Sequence, residues 1–327
     1  TNQLIDDIKI INPDIIHLNN LHGYYINIQL LFDYLAKSNI PIIWTLYDCW
    51  PLTGHCTYFD FVECEKWKSE CFNCPQKNQY PASYFLDRSK INHRLKKKLF
   101  TSVKNLTIIS NSNWLRNLIN QSYLKNYRIH VINSGIDTKI FKPVFCEVIK
   151  SKYNLEGNFV VLGVANDWIQ RKGFNDFIKL SHIIDDKIKI VLIGLSKNQQ
   201  KLIPDNIVGI ERTENIQELV KFYSCADIFV NPTWEDNFPT TNLEALACGT
   251  PVITYRTGGS PEAIDLNTGL IVEKRDVAGL LEAIKNIQLK GKEFYSKACV
   301  SRAKNLYNKD NQYKEYISLY ESILNKD

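Results

Sequence analysis

The chain has 327 residues, 44% of them apolar, and a net charge of +5, which is enough sequence for two α/β domains with substantial cores. No apolar run is long enough to cross a bilayer, and no basic stripe carries the interleaved aromatics that stack bases, so a membrane-spanning helix is excluded and nucleic acid is not an expected partner. The chain has nine cysteines.

Leu4 to Ile11 reads as an amphipathic helix and Asp14 to Leu18 as a strand. The chain starts at Thr1 and contains no Met, so it is expected to begin partway into its first domain. A polar loop, Asn19 to Tyr25, then leads to a helix over Ile28 to Lys37. The strand Pro41 to Thr45 is followed by a second loop, Leu46 to His55. These junctions hold His22, Gly23, Tyr47, Asp48 and His55, which become the acceptor-side candidates under the family resemblance given below. Tyr47 can donate a hydrogen bond, but with a pKa of about 10 it is no proton acceptor near neutrality. Scaffold histidines are common in such loops, which is the plainer reading of His22 and His55.

Residues 49–81 form an insertion without long periodicity that gathers Cys56, Cys64, Cys71 and Cys74. A Cys-x-x-Cys step presents two thiolates to one ion, and four sulfurs would close a structural zinc site. Two disulfides or four buried thiols are the competing arrangements. Cys49, Cys146, Cys225, Cys248 and Cys299 read as ordinary thiols. Arg88 to Phe100 combines a basic face with Ile91, Leu95 and Leu99 at helical spacing. It suits either packing on the first domain or peripheral contact with an anionic membrane surface.

The second half opens with a segment running from Val131 to Pro143 through a Gly-Ile-Asp turn. Phe159 to Asn166 follows as a strand, and Gln170-Arg171-Lys172-Gly173-Phe174 stands at a helix start, its two cations placed for a diphosphate. Ala226 to Val230 reads as a buried parallel strand, Glu235 to Thr241 as a loop at its carboxyl end, and Asn242 to Cys248 as a helix. Backbone N–H groups at Thr240 and Thr241 suit phosphate, although acids near a helix start also serve simply as caps. After the strand Pro251 to Thr254, Gly258 and Gly259 let backbone approach a ligand, and Ser260-Pro261 starts another helix.

Four elements in this order resemble the retaining GT-B glycosyltransferases of family 4. The family's Glu-Gly-Phe-Gly and second Glu have Asp236-Asn237-Phe238-Pro239 and Glu244 in register here. The chain departs in having Asp for the first Glu beside an extra acid, Glu235. It also has Asn166 where an Arg is usual, and Tyr47 where a His is usual.

The resemblance implies an α/β GT-B architecture of two Rossmann-like domains facing across a cleft, the first incomplete at its N-terminus. The expected divisions are 1–142 on the acceptor side, 143–309 for the nucleotide sugar, and a helix over 310–327 packing back on the first domain. It implies transfer of a hexose-type sugar from a nucleoside diphosphate to a glycan or lipid-linked acceptor in surface polysaccharide synthesis, with retention and no catalytic metal. Arg171 and Lys172 would hold the diphosphate, Glu244 the ribose, and Asp236 or Glu235 the sugar, with Asn237, Phe238, Pro239, Thr240, Thr241, Gly258 and Gly259 lining the donor. Asp48 joins the catalytic candidates. The expected setting is cytoplasmic, at the inner face of the membrane. A non-catalytic scaffold of a polysaccharide assembly complex, or a nucleotide-sugar epimerase, is the alternative.

Overall fold

The computed structural model describes residues 1–83 and 85–325. It divides into two compact units, one of Thr1–Asn133 together with the chain from Lys314 onward, the other Ser134–Tyr313.

The first unit runs α1 (Asn2–Ile11), β1 (Ile16–Leu18), α2 (Ile28–Leu35), β2 (Ile42–Leu46), α3 (Ser89–Phe100), β3 (Leu106–Ser110), α4 (Asn113–Asn120) and β4 (Arg128–Val131). Its four strands are parallel and lie in chain order. Strands such as Ile42-Ile43-Trp44-Thr45-Leu46 are buried along their whole length, as expected of a parallel sheet covered on both faces. One face packs Phe32, Trp44 and Phe100 together. The other packs Ile43, Ile109 and Ile132 against Leu319 from the C-terminal helix.

Among its described residues, the insertion between β2 and α3 contains only short 3-10 turns, at Trp50–Leu52, Asp60–Val62 and Lys66–Lys68. The basic helix α3 corrects one expectation. It buries His93, Lys96, Leu99 and Phe100, while Ile91, expected on the apolar stripe, is exposed.

The second unit contains α5 (Glu147–Lys152), β5 (Phe159–Val164), α6 (Phe174–Ser181), β6 (Ile188–Ile193), α7 (Lys197–Gln200), β7 (Ile207–Ile210), α8 (Ile216–Cys225), β8 (Ile228–Asn231), α9 (Thr240–Ala247), β9 (Val252–Tyr255), β10 (Gly269–Val272), α10 (Val277–Lys290) and α11 (Lys292–Leu306). The final helix, α12 (Lys309–Leu324), starts in this unit and ends in the first. The last two residues of the helix expected over 310–327 lie outside the described residues.

All six strands are parallel, in the order β10-β9-β8-β5-β6-β7. The chain builds outward from β5 through β6 and β7, then returns to β5's other side with β8. The β5/β8 boundary is therefore the topological switch point, where open α/β sheets leave a crevice at their carboxyl ends. Two boundaries differ from expectation. The helix after β8 starts at Thr240 because Pro239 fits just outside a helix start, and Ser260–Ala263 is a single 3-10 turn.

Candidate functional site

The segments leaving β5 and β8 meet at that switch point. After β5 the chain makes a 3-10 turn over Gln170–Lys172 and then passes through Gly173, whose φ of 79° admits a residue without Cβ far more readily than any other. A Cβ there would stand 2.2 Å from the Pro232 carbonyl oxygen, so glycine lets the two loops touch. Trp234 N–H donates to the Arg171 carbonyl at 2.7 Å, and the Arg171 guanidinium donates to the Glu235 carbonyl at 3.0 Å.

The Lys172 ammonium donates directly to the Asp236 carboxylate, and both side chains keep some solvent exposure. The third wall is the turn after β9. Gly259 N–H donates to the Asp236 carbonyl at 3.2 Å, and a Cβ on Gly258 would stand 1.8 Å from that same oxygen.

The two neighbouring acids separate sharply. Glu235 is fully buried, whereas Asp236 retains 9% of its surface and faces Lys172. Glu235 therefore lies inside the unit, and Asp236 is the acid that meets Lys172. Asn237, Phe238 and Pro239 are also buried, Phe238 packing on Tyr307 with ring centroids 5.7 Å apart. Their side chains shape the loop from behind.

Thr240 is exposed, Thr241 half-buried, and Pro239 provides no side-chain acceptor for the N–H groups of the first turn of α9. Glu244 sits one turn further in, its Oε2 accepting from the Tyr223 hydroxyl at 2.8 Å. Burial pushes its carboxyl above the usual range, and the Tyr223 and Thr240 hydroxyls pull it partly back.

Several supports had no local sequence signal. Trp234 Nε1–H donates to buried Asp176 at 2.7 Å, and the Arg275 guanidinium lies 4.3 Å from the Trp234 ring centroid. Behind the loop, Asn231 donates to Asn242 at 2.8 Å and Asn242 donates to the Ser260 hydroxyl at 3.1 Å, tying β8, α9 and the turn after β9 into one buried network. Beside this site, Asn166, Asp167, Gly194, Ser196, Glu211 and Arg212 line an open depression of about 450 Å³ past the ends of β5, β6 and β7.

In the first unit, Asn19, His22, Tyr47 and Asp48 line one small pocket at the carboxyl ends of β1 and β2. His22 Nε2 meets Asp48 Oδ2 at 2.6 Å, and its Nδ1 meets the Tyr80 hydroxyl at 3.1 Å. Asp48 Oδ1 accepts from Trp50 N–H at 2.8 Å. Gly23, at φ 116°, turns the loop beside His22, and Tyr47 donates to Asn19 at 3.2 Å. His55 does not join this group. It is buried among the insertion's cysteines, which corrects its expected acceptor-side place.

This α/β architecture of two parallel-sheet units is that of the GT-B glycosyltransferases, and the fold of Anabaena HepE in complex with UDP aligns with it at a TM-score of 0.72, 14% identity, 98% of this chain and 81% of that one. Residues 158–288, within the second unit, match the family model described as Glycosyl transferases group 1. WcaC of Escherichia coli (strain K12), named as a colanic acid biosynthesis glycosyl transferase, is 25% identical over 95% of this chain and 77% of its own length. The N,N'-diacetylbacillosaminyl-diphospho-undecaprenol alpha-1,3-N-acetylgalactosaminyltransferase of Campylobacter jejuni is 28% identical over 66% of this chain and 59% of its own. Several other curated relatives are matched over 41% to 48% of their lengths. These matches support a glycosyltransferase.

Proposed function

We propose that the chain transfers a hexose-type sugar from a nucleoside diphosphate to a hydroxyl of a glycan or lipid-linked acceptor, with retention of configuration. The observation that carries this reading is the meeting of Lys172 and Asp236 at the β5/β8 switch point, where a cation for a leaving phosphate stands beside a carboxylate for sugar hydroxyls. The bond from the anomeric carbon to the diphosphate oxygen breaks as the bond to the acceptor oxygen forms on the same face, and the departing phosphate takes the acceptor's proton. Lys172 and Arg171 offset the charge that grows on that phosphate, so the leaving group is handled by side-chain cations and calls for no catalytic metal. First-turn N–H groups at Thr240 and Thr241 add to them.

Glu244 accepts from the ribose diol, and the depression beyond β5, β6 and β7 takes the base. HepE's complex with UDP supports a nucleotide of this kind as donor. The His22–Asp48 pair serves the acceptor. An undecaprenol-linked substrate in the Campylobacter relative's name supports a lipid-linked acceptor, and exposed Ile91, Lys97 and Lys98 on α3 offer a surface for peripheral membrane contact at the cytoplasmic face. No helix among the described residues is long and apolar enough to cross a membrane.

Turnover of a radiolabelled donor panel tests the assignment, with product anomeric configuration read by NMR. Lys172→Ala should lower kcat by about 100-fold or more, comparable to losing one oxyanion contact. Wild-type kcat in that variant would overturn the assignment of Lys172.

A further inference from the structure

We propose that the insertion of the first unit is a zinc site closed by Cys56, Cys64, Cys71 and Cys74. All four line one cavity of about 10 Å³, the lower limit for a single water-sized body, together with His55 and Trp67. The Cys56 and Cys74 thiols hydrogen-bond to each other, and Cys71 lies within electrostatic reach of Cys64 and Cys74. Among the described residues no three such side chains already converge as a metal site, so binding requires the thiols to turn inward. Each has a single χ1 for that rotation.

The surroundings are built for negative charge. Gly54 N–H donates to Cys71 Sγ at 3.2 Å. His55 Nε2 and Trp67 Nε1 are buried with no hydrogen-bond partner among the described residues, although both residues line this cavity. An orphaned buried polar group costs about 1–3 kcal/mol. Trp67 Nε1 can only donate, and a thiol is a poor acceptor where a thiolate is a good one.

Lys96 is buried nearby. Its ammonium donates to the Trp50 and Thr53 carbonyls at 2.8 and 3.0 Å, and Asp48, Cys56 and Cys71 lie within electrostatic reach of it. Four thiolates around Zn²⁺ carry a net charge of −2, which adds negative charge beside that cation and gives the Gly54 and Trp67 N–H groups good acceptors. The Cys-x-x-Cys step is held ready: Lys66 donates to the Phe72 and Asn73 carbonyls at 3.1 and 3.2 Å, and Cys74 N–H donates to Asp87 at 2.8 Å.

On binding, four S–H bonds give up their protons to solvent and four Zn–S bonds form, with no change of oxidation state. The segment has only 3-10 turns of its own, so the ion would supply much of its order. It also carries Tyr80, which contacts His22.

The test uses the whole chain, purified under reducing conditions without chelator. Elemental analysis should find one zinc per chain. Cobalt substitution should give thiolate-to-metal charge transfer and tetrahedral d–d bands, with the charge-transfer intensity in Cys64→Ser and in Cys74→Ser reduced by about a quarter per lost thiolate. These readouts do not depend on turnover, so they stand or fall separately from the transferase reading. Absence of zinc together with a cobalt spectrum lacking thiolate charge transfer would overturn the proposal. So would mass spectrometry showing two disulfides among these cysteines in protein kept under reducing conditions.

Discussion

Gly258→Ala tests how tightly the turn after β9 fixes the Asp236 loop. Gly258 has φ 54°, and its missing Cβ would fall 1.8 Å from the Asp236 carbonyl oxygen, whereas real contacts of this kind stay beyond 3.0 Å. The loop must therefore give way by at least about 1.2 Å, the difference between those two distances. Displacements of about 1 Å at a reacting centre cost on the order of 100-fold in rate. A left-handed φ by itself costs an L residue about 1–2 kcal/mol, or roughly 2–4 °C of Tm per kcal/mol in a unit of this size.

The two costs can be separated. Gly157 and Gly291 have φ 72° and 77° with nothing within 4 Å of the place a Cβ would take, so alanine there meets the backbone penalty alone, a larger one at Gly291, whose ψ of 153° lies in a region essentially confined to glycine. Gly157→Ala and Gly291→Ala should lose Tm and keep kcat. Gly258→Ala should lose more Tm than Gly157→Ala and about 100-fold in kcat when rates are compared at equal folded fraction. Initial rates at saturating donor and thermal unfolding of the three variants decide the matter. If Gly258→Ala turned over as fast as Gly157→Ala, the close approach would have no bearing on Asp236.

The acid pair gives two further tests. If Glu244 accepts from ribose and Asp236 from the sugar, Glu244→Gln should weaken the free nucleoside diphosphate and the donor alike, while Asp236→Asn should weaken the donor alone. Calorimetric titration of both ligands against both variants checks this, and equal losses in Asp236→Asn would move sugar contact away from that residue. Tyr223→Phe removes a hydroxyl that holds the Glu244 carboxyl down against burial, so its nucleotide affinity should begin to fall with decreasing pH at a higher pH than in wild type. The stability effect of Glu244 has the opposite sign. A carboxyl raised on folding binds its proton more tightly in the folded state, so its contribution is largest at low pH and is lost as pH rises through the folded value. Coincident pH curves for Tyr223→Phe and wild type would detach Glu244 from the nucleotide.

What the sequence made legible is what depends on short range. Runs such as Phe159-Val160-Val161-Leu162 identify buried parallel strands because every residue is apolar on both faces of the sheet, and the observed strand begins where expected. The cations after β5 and the acids after β8 were readable because turn residues and their order mark the ends of strands. Partners were not readable. Tyr223 and Glu244 are 21 positions apart, and His22 and Tyr80 are 58 apart, so their hydrogen bonds follow from packing, which no local spacing encodes.

Two places show the same limit from opposite sides. Arg88 to Phe100 reads as a helix with a basic face, and lysine is rarely buried, yet the Lys96 ammonium finds two carbonyls and lies 3.5 Å from the Trp50 ring centroid, while Ile91 is left outside. Glu235 and Asp236 are chemically near-equivalent neighbours, and composition cannot rank them. Adjacent side chains in non-helical backbone diverge, so once Lys172 draws one carboxylate to the open side of the loop, the other must face the interior. Asp236 meets a lysine 64 residues earlier, brought alongside by the β5/β8 pairing.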